Sequence, residues 1–186
     1  MAVVAIGSAV RPNVASADLD LIVIRADASS LGRTVPLEID LRSYSAADVD
    51  AKIAGGDDLL GWAIKFGKAL FQRSHYWDRL VNSWRDRLPL PSAAVARERA
   101  ASAHKRLVKL LEFGDGDASQ EQAVSYFTHL ARAELLDRGI YPASRPELPS
   151  QLRVIGSFQI AECLDKLLQT KLADIAEIDR LLKVPV

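Results

Sequence analysis

The sequence predicts an α+β protein: a small sheet-containing core with flanking helices, followed by an all-helical C-terminal bundle. Two observations carry this. Residues 1–42 hold three short apolar runs of strand length, separated by Gly, Ser, Asp and Pro. Beyond residue 43 the apolar residues recur at intervals of three and four, the period of a helix packed on one face, and the runs break at Gly and Pro. The expected division is a core over residues 1–58 and a helical part over 59–186.

Residues 3–6 are a short apolar run that stops at Gly7-Ser8. Residues 19–24 are apolar on both faces, as in a strand covered on both sides. Residues 35–42 alternate, with Leu37, Ile39 and Leu41 on one face and Glu38, Asp40 and Arg42 on the other. The small and polar stretch RADASSLGRT between these two runs reads as a hairpin loop. Residues 46–54 predict a short helix ended by Gly55-Gly56. Residues 59–73 predict a longer helix, with a stripe of Leu60, Ala63, Ile64, Gly67 and Phe71. Residues 76–85 place Trp77, Leu80, Val81 and Trp84 at helical spacing. The LPLPS segment breaks the chain and leaves Ser92 as an N-cap for a long helix over 93–113, with Gly114 just beyond it. Further helices are expected over 120–138 and 148–155, and two more, split near Gln169 and Thr170, finish the chain.

The composition narrows the function. Of 186 residues, 49% are hydrophobic and 26% charged, the profile of a globular protein with a conventional core. Twenty-four basic residues balance 24 acidic ones, which excludes binding of a long nucleic acid through bulk charge and leaves room only for a local basic patch. The helix over 93–113 carries Arg97, Arg99, Lys105, Arg106 and Lys109, which read first as a solvated helix face. The single cysteine, Cys163, excludes an internal disulfide and suits a reducing compartment. No apolar run approaches the roughly 20 residues of a membrane span, and no signal peptide is recognisable, so a cytoplasmic location without membrane contact is expected.

Chemistry concentrates in the first 42 residues. Asp18 and Asp20 lie two apart at the entrance of the second strand, where alternate side chains share a face about 6.6 Å apart. If this strand forms an antiparallel hairpin with residues 35–42, a symmetric register sets Asp20 opposite Asp40 and Glu38 opposite Ile22. Asp40 is then the third carboxylate, and a slip of two residues would put Glu38 there instead. Three carboxylates on one face repel each other, and without compensation at least one stays protonated near neutrality. A divalent cation removes the conflict, and hard oxygen ligands of this kind suit Mg²⁺ accompanied by substrate phosphates. The plain alternative is a solvated strand end. The Gly7-Ser8 step weighs against it. Glycine lets a backbone approach phosphate closely, a serine hydroxyl donates to it, and Arg11 follows within reach of a phosphate oxygen.

The stretches GSAVR, DLDLIVI and LEIDLR together resemble the nucleotidyltransferase superfamily that includes DNA polymerase β, in its minimal bacterial branch. The resemblance covers roughly residues 3–42, and the remainder looks like the helical partner of stand-alone bacterial members. It implies a mixed β-sheet core in which Gly7 and Ser8 hold a nucleoside triphosphate co-substrate, Asp18 and Asp20 bind two Mg²⁺ ions, and Asp40 completes the site. The implied reaction moves a nucleoside monophosphate to an acceptor hydroxyl and releases pyrophosphate. A small molecule, a protein or an RNA end would serve as acceptor, expected between the core and the helices, with residues 59–186 serving acceptor binding or interaction. The competing expectation is a catalytically weak nucleotide-binding or interaction module, such as a toxin–antitoxin-type partner protein. A homodimer or a partner protein is compatible with either.

Elsewhere the signals are weaker. Arg99 and His104 are spaced as in the Arg-x(4–6)-His motif of HEPN-type ribonucleases, within a helix rich enough in arginine to produce the match by chance. His75 and His129 have no partners at metal-ligand spacing. Cys163 and the three tryptophans, Trp62, Trp77 and Trp84, read as core.

Overall fold

The structure, a computed structural model, describes residues 1–11, 19–26, 39–169 and 175–183. Its contacts divide the chain into two compact units, Met1–Pro91 and Ser92–Val186.

The first unit is built on a four-stranded mixed sheet of β1 (Ala2–Ile6), β2 (Leu19–Arg25), β3 (Ile39–Ser45) and β4 (Lys68–Gln72), in the order β3-β2-β1-β4. β1 runs antiparallel to both of its neighbours, whereas β3 runs parallel to β2. The expected antiparallel hairpin between β2 and β3 is therefore corrected. A hairpin closes through two to five residues. Here the connection runs from Ala26 to Glu38, the length that a parallel crossover requires. Most of that connection, Glu38 included, lies outside the described residues, as do 35–37 of the expected third strand.

Register assigns the faces. Ile6 pairs with Asp20, Val4 with Ile22 and Ala2 with Ile24, and Asp20 pairs in turn with Asp40. Partners in register share a face. One face thus carries Ala2, Val4, Ile6, Ile22 and Ile24, all buried, and reaches the two aspartates at the end where β1 finishes and β2 begins. On β3 the expected alternation holds: Ile39 and Leu41 are half-buried, Asp40 and Arg42 exposed.

Three helices complete this unit: α1 (Val49–Ala54), α2 (Asp58–Phe66) and α3 (Tyr76–Trp84). α2 starts where the Asp57 carboxylate accepts hydrogen bonds from the Leu59 and Leu60 amides at 3.1 and 2.9 Å, the usual N-cap arrangement. It packs on β1 and buries Leu60, Trp62, Ala63 and Ile64. Trp84 Nε1 donates to Asp50 Oδ1 at 2.8 Å and so ties α3 to α1. All three tryptophans are buried, as expected of packing residues.

The expected helix over 59–73 stops at Phe66. Ala69, Leu70 and Phe71 continue the apolar run as edge strand β4, antiparallel to β1. Gly67 makes the switch. It is extended, with ψ at 153°. A Cβ there would lie 2.6 Å from the Ala63 carbonyl oxygen and 2.9 Å from Val4 Cγ1. The pairing of β4 with β1 also moves the boundary, expected near residue 58, to Pro91–Ser92. Gly67→Ala should cost about 1–3 kcal/mol, because neither the carbonyl nor the core valine can withdraw freely. Equilibrium urea unfolding of the variant measures this.

The second unit is helical: α4 (Ala93–Phe113), α5 (Gly116–Asp137), α6 (Leu148–Val154), α7 (Phe158–Gln169) and α8 (Ile175–Leu182). Ser92 Oγ caps α4 by accepting from the Val95 amide, and Gly114 closes it in the left-handed conformation at φ 76°. Asp115 caps α5, which therefore begins at Gly116 rather than near residue 120. Ala96, Ala100, Ala103 and Leu107 form the buried stripe of α4, and these small side chains let α5 approach closely. Phe127, Leu135, Leu148, Leu152, Leu164 and Ile178 form the centre of the core. Cys163 lies in this core, where burial pushes its thiol pKa up, the opposite of an activated nucleophile. No helix among the described residues is long and apolar enough to cross a membrane.

Candidate active site

The strand β1 ends at Ile6, and the chain turns at Gly7 into a short 3-10 turn, Ser8–Val10. Gly7 has φ 72° and ψ −157°, a combination open essentially to glycine alone. The turn is shaped around Asp20: a Cβ built on Gly7 would fall on the Asp20 carboxylate. The Gly-Ser step and the strand aspartate, separated in sequence, are thus in direct apposition. The cause is the β1–β2 register, which sets Asp20 across from Ile6.

Asp20 and Asp40 are register partners on adjacent parallel strands. Neighbouring strands lie about 4.8 Å apart, so the two carboxylates sit side by side on one face. Asp20 is half-buried, whereas Asp40 stands on an edge strand with its side chain 55% exposed. The expected juxtaposition of these two residues is found, although the strands that make it run parallel. Asp18 lies outside the described residues. Among the described residues no group of three His, Cys, Asp or Glu side chains is arranged to hold a metal. What is present is a pair of hard oxygen donors, like in charge and adjacent, which fits one side of a Mg²⁺ coordination shell.

Charge compensation on β3 comes from a residue that sequence reasoning placed on this face without assigning it a role. Arg42 Nη2 donates to Asp40 Oδ2 at 3.2 Å. The two residues are i and i+2 on one strand, a spacing that could have signalled the pair. Both side chains are more than half exposed, so the bond contributes at most about 1 kcal/mol and exchanges readily. Further along the same strand face, burial and then the Asp57 carboxylate raise the Tyr44 phenol pKa.

Arg11 follows the turn. Its amide donates to the Ser8 carbonyl at 3.0 Å, and its guanidinium carbon lies 4.7 Å from the centroid of the Phe66 ring. Gly7, Ser8, Arg11, Asp20 and Asp40 are therefore all placed within the first unit by β1, β2, β3 and the end of α2.

The other sequence signals do not assemble into sites. His104 and Arg99 lie on the exposed face of α4, where the His104 ring packs 5.1 Å from that of Tyr126. His75 is exposed, with Nδ1 3.3 Å from Asp78 Oδ2.

No family model matches the chain, and no curated protein matches it. Among solved structures, a nucleotidyltransferase-like protein from Exiguobacterium sibiricum 255-15 is similar over 97% of this chain, at 17% sequence identity and a TM-score of 0.50. The chain spans 65% of the length of that protein. At such low identity the likeness is one of fold: the mixed sheet with flanking helices, followed by a helical region, is an α+β arrangement that this chain shares with that protein.

Proposed function

We propose that the protein is a metal-dependent nucleotidyltransferase that moves a nucleoside monophosphate from a nucleoside triphosphate to an acceptor hydroxyl. The observation that carries this reading is the apposition of Asp20, register partner of Asp40, to the Gly7–Ser8 turn at one end of the sheet. The likeness in fold supports it.

In this reading the Gly7 and Ser8 amides and the Ser8 hydroxyl bind the outer phosphates, as exposed N–H groups at a turn bind anions. Arg11 adds a cation at the exit of that turn. Asp20 and Asp40, joined by Asp18, are the ligands for Mg²⁺, which when bound supplies charge neutralisation at the α-phosphate and at the leaving pyrophosphate. Asp40, the more exposed carboxylate, accepts the proton of the acceptor hydroxyl as its oxygen forms a bond to the α-phosphorus. The bond from that phosphorus to the pyrophosphate oxygen breaks. The acceptor is a small hydroxylated molecule, a protein hydroxyl or an RNA end.

The Arg42–Asp40 ion pair favours the competing reading, a protein that binds nucleotide without turning it over. Transfer of label from α-labelled nucleoside triphosphates in Mg²⁺ separates the two. Covalent label on an acceptor, with release of pyrophosphate, supports the enzyme; binding without transfer to any acceptor class overturns it. Arg42→Gln bears on the same point. It should cost less than about 1 kcal/mol of stability, because an exposed pair contributes little. It should also lower the Mg²⁺ concentration needed for half-maximal effect, since the cation no longer competes with the guanidinium. A Mg²⁺ titration of thermal stability reads both.

A further inference from the structure

The Phe66 ring holds more than one cation. Arg11 lies over it at 4.7 Å, and the Lys65 Nζ lies 5.9 Å from the same centroid. Trp62, one helical turn earlier and buried, packs against Phe66 with ring centroids 5.0 Å apart. Gly67, immediately after, passes so close to Val4 and the Ala63 carbonyl that it admits no side chain. Phe66 is therefore fixed from both sides, and it is fixed relative to β1, the strand that ends in the Gly7–Ser8 turn. Arg11 is bound to that turn through its own amide.

We infer that Phe66 is a positioning residue: its ring seats Arg11 beside the Gly7–Ser8 turn and, with Lys65, makes the end of α2 a two-cation seat for the polyphosphate tail of a nucleotide. This rests on the nucleotidyltransferase reading and adds to it a residue type, an aromatic at the end of a helix, that carries no phosphate chemistry itself. The physics is pre-organisation. An arginine on a turn loses side-chain freedom when it binds an anion, and a ring that already holds it removes part of that loss. A guanidinium resting on a ring uses its face, while its N–H donors lie in its own plane and can still meet phosphate oxygens.

The test is binding of inorganic tripolyphosphate in Mg²⁺ by calorimetry, using the full chain. Arg11→Ala should weaken binding about tenfold, and Phe66→Leu about three- to tenfold, the range of a cation–π contact. Phe66→Trp keeps a ring and should stay within about twofold of the wild type. In the Arg11→Ala background, Phe66→Leu should add less than about a twofold further loss, because the ring acts chiefly through the guanidinium and Lys65 lies farther from it. Unchanged binding by a folded Phe66→Leu protein overturns the inference and leaves the nucleotidyltransferase reading standing. Additive losses, or equal losses in Phe66→Leu and Phe66→Trp, also overturn it, because they mark a packing role. If the wild type binds no tripolyphosphate, the inference and the reading beneath it fall together.

Discussion

Asp20→Asn should abolish nucleotide transfer, by at least about a hundredfold in kcat/KM, while the chain remains cooperatively folded. Loss of one fixed group that stabilises transition-state charge commonly costs two to three orders of magnitude. In the proposed reading Asp20 is such a group, as a metal ligand, and it is also the side chain around which the Gly7 turn is shaped. The fold should tolerate the change because asparagine has the same shape. It also removes one of two like charges in register on neighbouring strands, an arrangement that is itself destabilising. The net change in stability should therefore lie within about 1 kcal/mol. The discriminating measurement pairs activity with Mg²⁺-dependent thermal stability. The wild type should gain stability as Mg²⁺ is added, and the variant should gain little. Near-normal turnover by Asp20→Asn, or an undiminished response to Mg²⁺, would remove the metal site from the proposal.

Much of the fold was legible because its signals are local. The capped boundaries of α4 follow from Ser92 at one end and Gly114 at the other, each satisfying backbone groups that the helix leaves open. The alternation of Ile39 and Leu41 with Asp40 and Arg42 reports a strand with one face exposed. The failures came where a non-local choice decided. Ala69, Leu70 and Phe71 fit a helical stripe as well as a strand, and only an open edge on β1 recruits them as β4. Gly67 marked the change, since a glycine within a helical pattern lowers the case for continuing it. The direction of β3 is likewise set by how the chain returns to the sheet. The length of its connection to β2, well beyond a hairpin, was the available clue.

The candidate site was legible in part for a reason independent of strand direction. Asp20 and Asp40 face each other in a symmetric antiparallel register, and they do so again in the parallel register observed. The inference about neighbours survived while the inference about topology did not. Arg42 and Phe66 were missed because their roles depend on partners. Arg42 matters through Asp40 two residues away, and Phe66 through an arginine far from it in sequence. An aromatic at the end of an amphipathic helix looks like core from sequence alone. The Exiguobacterium protein, at 17% identity, shares the arrangement of elements and says nothing of these side chains.

Gly7→Ala should be more damaging than the same substitution at Gly55, Gly56 or Gly67 in the first unit. Two costs combine. The backbone at φ 72° and ψ −157° lies in a region that side chains avoid, at about 1–3 kcal/mol. The added methyl would also fall on the Asp20 carboxylate, so either the turn or the aspartate must move. Together they should lower stability by about 2–4 kcal/mol, or the melting temperature by about 5–15 °C for a chain of this size. Gly114→Ala is the natural control. Gly114 also has a positive φ, 76°, but nothing lies within 4 Å of the Cβ it would gain, so only the backbone cost of about 1–2 kcal/mol applies. The two variants also differ in activity. Assayed well below either melting point, Gly114→Ala should transfer nucleotide at the wild-type rate. Gly7→Ala should lose more than tenfold, because a displaced Asp20 no longer stands in register with Asp40 beside the Gly7–Ser8 turn. A stable Gly7→Ala protein with wild-type turnover would detach the turn from Asp20 and deprive the proposed reading of its phosphate-binding element.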